Sequence, residues 1–241
     1  MRCDEILKKL EEEYPLSCAE DWDAPGLLVG RRNREVRKVL VALDATEETI
    51  REAIDKEADL LITHHPLLFH SIREVNDDTF IGRRILAMIE HEISYYAMHT
   101  NFDILGMAQL NEQQLDLQDA HVLETTQEID GIVEGFGRVG MLPEPMTLRE
   151  TADYVRDRLQ LGSVLCYGLE EKDDEEEEPR IECLAVCSGS GKGMVGQALE
   201  AGAQVLVTGD VDYHTAIDAL ARASSSSMRA TTGRNTALSR S

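Results

Sequence analysis

The chain has no apolar run approaching the roughly 20 residues that a membrane helix needs, and its first residues, MRCDEILKKLEEEY, lack the apolar centre of a secretory leader. Aromatic residues are scarce at 5%, so aliphatic side chains must carry the packing. The cysteines are few, scattered and odd in number, at Cys3, Cys18, Cys166, Cys183 and Cys187. None forms a Cys-x-x-Cys pair, which argues against a disulfide framework and for reduced thiols in a cytoplasm. Lysine is rarer still, confined to Lys8, Lys9, Lys38, Lys56, Lys172 and Lys192. What replaces these is acid. There are 46 carboxylates against 24 Lys and Arg, a formal charge of −22. Such a field repels nucleic-acid backbones and predicts a soluble protein of a high-salt cytoplasm. With 241 residues and 42% hydrophobic content the chain can bury a substantial core.

Apolar spacing predicts a helix over residues 3–14, stopped by Pro15. Three apolar runs read as buried strands: Arg37–Asp44 (RKVLVALD), Ala58–Thr63 (ADLLIT) and Ile93–Met98. Helical patterns at 47–56 and 81–89 separate them, the order of a sheet with parallel strands and crossover helices. Gly131, Gly135, Gly137 and Gly140 then punctuate what read as short strands, and 147–159 reads as a helix. The run 170–178 (EEKDDEEEE) predicts an exposed loop, because its carboxylates repel and cannot be desolvated cheaply. A strand at 181–187, a helix at 193–201 and a strand at 204–208 follow. The expectation is a first domain of residues 1–117 plus 206–241, with a smaller α/β domain, 118–205, inserted in it.

Ligands gather beyond the carboxyl ends of strands in such sheets, and polar residues are concentrated there. His64-His65 ends one strand, with Pro66 enforcing extended or turn geometry at His65. His99-Thr100-Asn101-Phe102-Asp103 ends the next. Imidazoles mixed with a carboxylate suit zinc, manganese or iron. Gly189–Gly193 (GSGKG) lacks the spacing of a phosphate loop and reads as a tight strand-to-helix turn. Asp210, Asp212 and His214 follow a further strand end. Trp22 is expected to be buried beside a structural turn.

Taken together, Leu61–Phe69 (LITHHPLLF), His99–Asp103 (HTNFD), the WD-x-x-GLLVG run at Trp22–Gly30 and the GSGKG…GAQVLVTGDVDYH run at 189–214 resemble the NIF-three-like family of dinuclear-metal hexameric proteins. Some of its members are labelled type-2 homologues of GTP cyclohydrolase I. The resemblance implies two interlocked α/β domains with mixed sheets, a toroidal homo-hexamer, and two divalent metal ions per subunit. It implies His64, His65 and Asp103 as metal ligands; His99 and Asp210, at neighbouring strand ends, are candidates to orient ligands or move protons. A metal-dependent hydrolase acting on nucleotides or phosphoesters is the expected function; a non-catalytic metal-binding toroid or regulatory scaffold is the alternative.

The C-terminus departs from this pattern. Family members end on an apolar strand and a His-x-x-x-Glu pair, whereas this chain ends ARASSSSMRATTGRNTALSRS, without His, Asp or Glu. Codons compatible with Ser227–Ala237, read one register over, encode DAGHYGTEYS, and each preceding serine codon shifts to an aliphatic residue or Phe. A frameshift near Arg222 therefore accounts for residues 222–241 and predicts one bound metal at most.

Overall fold

A computed structural model describes residues 1–169, 178–223 and 229–233. The expected acidic loop at 170–178 falls almost wholly outside these residues, only exposed Glu178 being described, as do Ser224–Ser227. The chain is α/β with two mixed sheets, and it divides into two compact units between Phe102 and Asp103.

The first unit opens with helix α1 (Cys3–Glu13), whose buried Cys3 and Leu7 pack with Val36, Leu60 and Tyr96. Strands β1 (Gly26–Val29) and β2 (Val39–Ala42) follow. Helix α2 (Glu47–Asp55) is capped by Thr46, whose hydroxyl accepts the Thr49 amide at 3.1 Å. It leads to β3 (Leu60–Thr63). Helix α3 (Phe80–Glu90), capped the same way by Thr79, leads to β4 (Ser94–Ala97). The sheet order is β1-β4-β3-β2. The last three strands are parallel, and β1 returns antiparallel along β4. Leu60, Leu61 and Tyr95 are fully buried, each aliphatic side chain contributing about 1.5–3 kcal/mol. The expected burial of the second strand is corrected: β2 forms the sheet edge, so Val39 and Val41 face outward.

A short helix α4 (Thr100–Phe102) runs into a π-helical turn (Asp103–Met107) and then α5 (Ala108–Gln114). Beyond it lie β5 (Gln118–Ile129), β6 (Ile132–Met146), α6 (Leu148–Arg158), β7 (Val164–Tyr167) and β8 (Ile181–Ser190). Helix α7 (Val195–Glu200), β9 (Val205–Asp210), α8 (Tyr213–Ala223) and β10 (Arg229–Gly233) complete the second unit. Its sheet runs β5-β6-β8-β9-β10-β7. Alternation along the strands feeds two cores. Leu184, Val186, Val205 and Val207 pack with Leu148 and Val155 of α6. Ala185, Cys187 and Leu206 pack with Val195 and Ala198 of α7 and Ala219 of α8.

Three expectations change here. Strand β9 pairs with β8, Leu184 opposite Val205, so Leu206–Asp210 belong to the second unit's sheet instead of returning to the first. Leu115 and Leu117 are buried in the same core, which draws the boundary back from residue 118 to 103. The glycines of 131–140 do not punctuate short strands but belong to one long hairpin, β5–β6. A Cβ at Gly135 would lie 1.9 Å from the Glu124 carbonyl oxygen, and Gly137 has φ +67° with the Val186 carbonyl 2.6 Å from where its Cβ would stand. Inside this hairpin, Arg138 is 5% exposed and binds Glu134 at 3.0 Å and Glu112 at 3.2 Å.

Candidate metal centre

The end of β3 carries two histidines into a turn that is tied down from several sides. The Thr63 hydroxyl donates to the His65 carbonyl at 2.8 Å. The Tyr95 hydroxyl lies 2.8 Å from that of Thr63 and 3.1 Å from the same carbonyl, and it accepts the Leu67 amide at 2.8 Å. This network turns both imidazoles to one side of the strand end, which an extended backbone would not do.

Each of three histidines is then oriented through its Nδ1. His64 Nδ1 lies 3.0 Å from the Met98 carbonyl, His65 Nδ1 2.9 Å from Asp44 Oδ1 and His99 Nδ1 3.0 Å from Asp23 Oδ2. All three partners can only accept, which assigns the proton to Nδ1 and leaves the Nε2 lone pair as the ligand-ready atom. The rings crowd together, with centroids 4.9 Å apart for His64–His65, 5.3 Å for His64–His99 and 5.9 Å for His65–His99. Burial, helped by the neighbouring His65 and His99, lowers the His64 pKa to about 4, so the ring is neutral near pH 7.

Asp23 explains why His99 is held so firmly. Its carboxylate, 1% exposed, also accepts the Thr100 amide at 3.1 Å and the Thr100 hydroxyl at 2.6 Å. Burial alone would raise its pKa; the Thr100 and His99 contacts outweigh that and lower it. Asp103 opens the π-helical turn that follows Phe102 without a break, four residues past His99. Ligand atoms of His64, His99 and Asp103 all lie within 4.8 Å of one another. Two imidazole nitrogens and a carboxylate oxygen form a donor set that fits a divalent transition metal.

Of the expected ligands, His64 and Asp103 fall in this group, His99 joins them as a donor, and His65 borders it on Asp44. Asp210 stands exposed at the end of β9 and is not in the group. The turn at 189–193 is a strand-to-helix connection, as the spacing predicts, with Lys192 3.2 Å from Asp212. Trp22 corrects its expectation: it is 61% exposed, its ring stacked on Phe69 at 6.5 Å and 5.9 Å from His99. The orienting residues Asp23 and Asp44 are not singled out by the sequence reading. Asp44 ends the RKVLVALD run, so the strand-end rule that finds the histidines points to it too.

The family model for Duf34/NIF3 (NGG1p interacting factor 3) matches residues 1–228. The chain belongs to the Duf34/NIF3 family. Among its relatives, a Clostridium perfringens protein named GTP cyclohydrolase 1 type 2 homolog is 33% identical over 220 residues, covering 90% of this chain and 80% of that one. A Streptomyces coelicolor protein of the same name is 34% identical over 222 residues, covering 91% and 76%. The fold is shared with a Bacillus cereus protein related to NIF3, with TM-score 0.87 and 25% identity over 98% of this chain and 89% of that one. A Staphylococcus aureus hypothetical protein has TM-score 0.82 and 29% identity, covering 96% and 85%. The Duf34/NIF3 match stops at residue 228, in keeping with the aberrant C-terminus read from the sequence. Among the described residues no helix is long and apolar enough to cross a membrane.

Proposed function

We propose that this protein is a metal-dependent hydrolase-like enzyme acting on nucleotides or phosphoesters, working as a homo-hexamer in a cytoplasm. The observation that carries the reading is the convergence of His64, His99 and Asp103 while the histidine Nδ1 atoms are occupied by fixed acceptors. The relatives' name, GTP cyclohydrolase 1 type 2 homolog, supports the substrate class. A zinc, manganese or iron ion held there would supply Lewis acidity toward a substrate oxygen. The chain's own part is preorganisation. Met98 and Asp23 fix the tautomers of His64 and His99 by accepting from Nδ1, and Thr100 in turn holds the Asp23 carboxylate in place. The family's centre is dinuclear; without a C-terminal His-x-x-x-Glu pair this chain holds one metal per subunit at most.

Elemental analysis of protein loaded with zinc, manganese or iron, beside a turnover screen over phosphoesters and nucleotides, tests the reading. The expected result is up to one metal per subunit, lost in His64→Ala together with any turnover. Metal exchange without turnover in a full-length relative favours the non-catalytic alternative. Two metals per subunit in this chain would show that its C-terminus is no part of the site.

A further inference from the structure

A cavity of about 400 Å³ opens beside His65 and Asp44. Its walls include Leu67, Phe69, Phe80 and Ile81, and its one guanidinium is that of Arg84. Such a volume accommodates one or two rings with a polar substituent. Arg84 lies over the Phe80 ring, 5.0 Å from its centroid, and its Nε is shielded from solvent with no hydrogen-bond partner. Like several other arginines, Arg84 has no carboxylate partner among the described residues; what sets it apart is that it lines a cavity with its Nε shielded. A partly desolvated cation without an anion is costly unless a ligand completes it.

The cavity mouth is also apolar where a protein surface is usually polar. Phe69, Ile72 and Phe80 are 49%, 41% and 53% exposed, and Phe69 stacks nearly parallel to Trp22 with 10° between the rings. Phe69 meets the His99 ring edge-on at 5.5 Å as well. One aromatic side chain thus joins the cavity, the exposed tryptophan and the histidine cluster. Stacked rings favour a planar partner, and Arg84 favours an acidic group on it.

We propose that the Phe69–Trp22 stack and Arg84 form a recognition site for a planar aryl anion, a ring bearing a phosphate or carboxylate, delivered to the edge of the histidine cluster. Arg84 is a specificity-determining residue that selects the charge, and Phe69 selects the ring. The inference rests on the proposed function only for the ligand's destination; recognition itself needs no metal.

Trp22 is the sole tryptophan, so the protein's indole emission reports this site alone. Metal-free protein is titrated with 4-nitrophenyl phosphate and 4-nitrobenzoate, with 4-nitrobenzyl alcohol and inorganic phosphate as the uncharged and ring-free controls. Affinities come from calorimetry beside the emission. Both aryl anions are expected to bind and quench, with each control at least tenfold weaker. A preference between the two anions identifies the acidic group. Arg84→Gln should lose at least tenfold in affinity for the anions and nothing for the alcohol, Arg84→Lys should recover part of the loss, and Phe69→Leu should weaken both anions. Thermal melts and metal content of Arg84→Gln, expected unchanged, separate lost recognition from lost fold or lost metal site. Equal binding of alcohol and anion, or unaltered anion affinity in Arg84→Gln, overturns the proposal while leaving the metal reading intact. Normal anion binding in a protein that takes up no metal does the reverse.

Discussion

Replacing Tyr95 by Phe removes one oxygen atom from the interior and tests whether the hydroxyl network holds the His64–His65 turn. The ring itself is fully buried and keeps its packing, so no cavity larger than the hydroxyl opens. What is lost is specific. The Leu67 amide, 2.8 Å from that hydroxyl, loses its acceptor, and the Thr63 hydroxyl keeps only the His65 carbonyl. A stranded donor costs about 1–3 kcal/mol and each lost bond a further ~0.5–1.5 kcal/mol net, so Tyr95→Phe should destabilise by about 2–4 kcal/mol. At a urea m-value of about 2 kcal/mol/M, the midpoint should fall by about 1–2 M with unchanged slope. Trp22 emission follows the transition, since that residue lies in the first unit. The turn should loosen with it, lowering metal affinity by about 10–100-fold, the range for partners that orient metal-binding histidines. An unchanged midpoint would refute the argument, and so would a lowered midpoint with metal affinity intact, because the network would then support the fold without positioning the ligands.

Other perturbations follow from the same geometry. Arg138→Met strands the Glu134 carboxylate, 10% exposed, and should cost about 3–5 kcal/mol in a thermal melt, while adding Glu134→Leu should restore most of it. Asp59 is partly buried, which alone would raise its pKa; the Arg37 and Lys38 amides at 2.8 and 3.1 Å, with Arg34, lower it instead. Its stabilising contribution is therefore complete above the unfolded value near pH 3.9 and fades as pH falls through the lower folded value. Urea midpoints of wild type and Asp59→Asn should differ by a constant amount from pH 7 to 5 and converge toward pH 3. A gap that persists in acid would contradict the assignment. Gly137→Ala should cost at least about 1–3 kcal/mol by the same melts, since it adds left-handed strain to a clash with the Val186 carbonyl.

Local pattern carries the first unit well. The runs that become β2, β3 and β4, and the helices between them, lie where apolar periodicity places them, because parallel strands are dense in aliphatic residues. Strand ends then single out His64, His65, His99 and Asp103 with no knowledge of distances. Pairing partners are less legible. Nothing in QVLVT says which sheet it joins, so β9 is assignable to the second unit only once its ladder with β8 is seen. Exposure of Trp22 is hidden for a related reason, since a turn such as WDAPG is compatible with a ring packed inward or stacked on a distant Phe69. Asp23 and Asp44 act through histidines 76 and 21 residues away, a relation that spacing along the chain does not encode.

Strand β7, residues 164–167, has its described backbone partner in β10, residues 229–233, and β10 in turn bridges β7 to β9. Order of synthesis makes this a timing constraint. When β7 is decoded, the strand that will pair with it is more than sixty residues from being translated. In the interval an open edge must wait without recruiting a wrong neighbour, the situation in which nascent chains call on holding chaperones. A change confined to residues 229–233, within the segment read as frameshifted, would be felt first at a strand decoded seconds earlier.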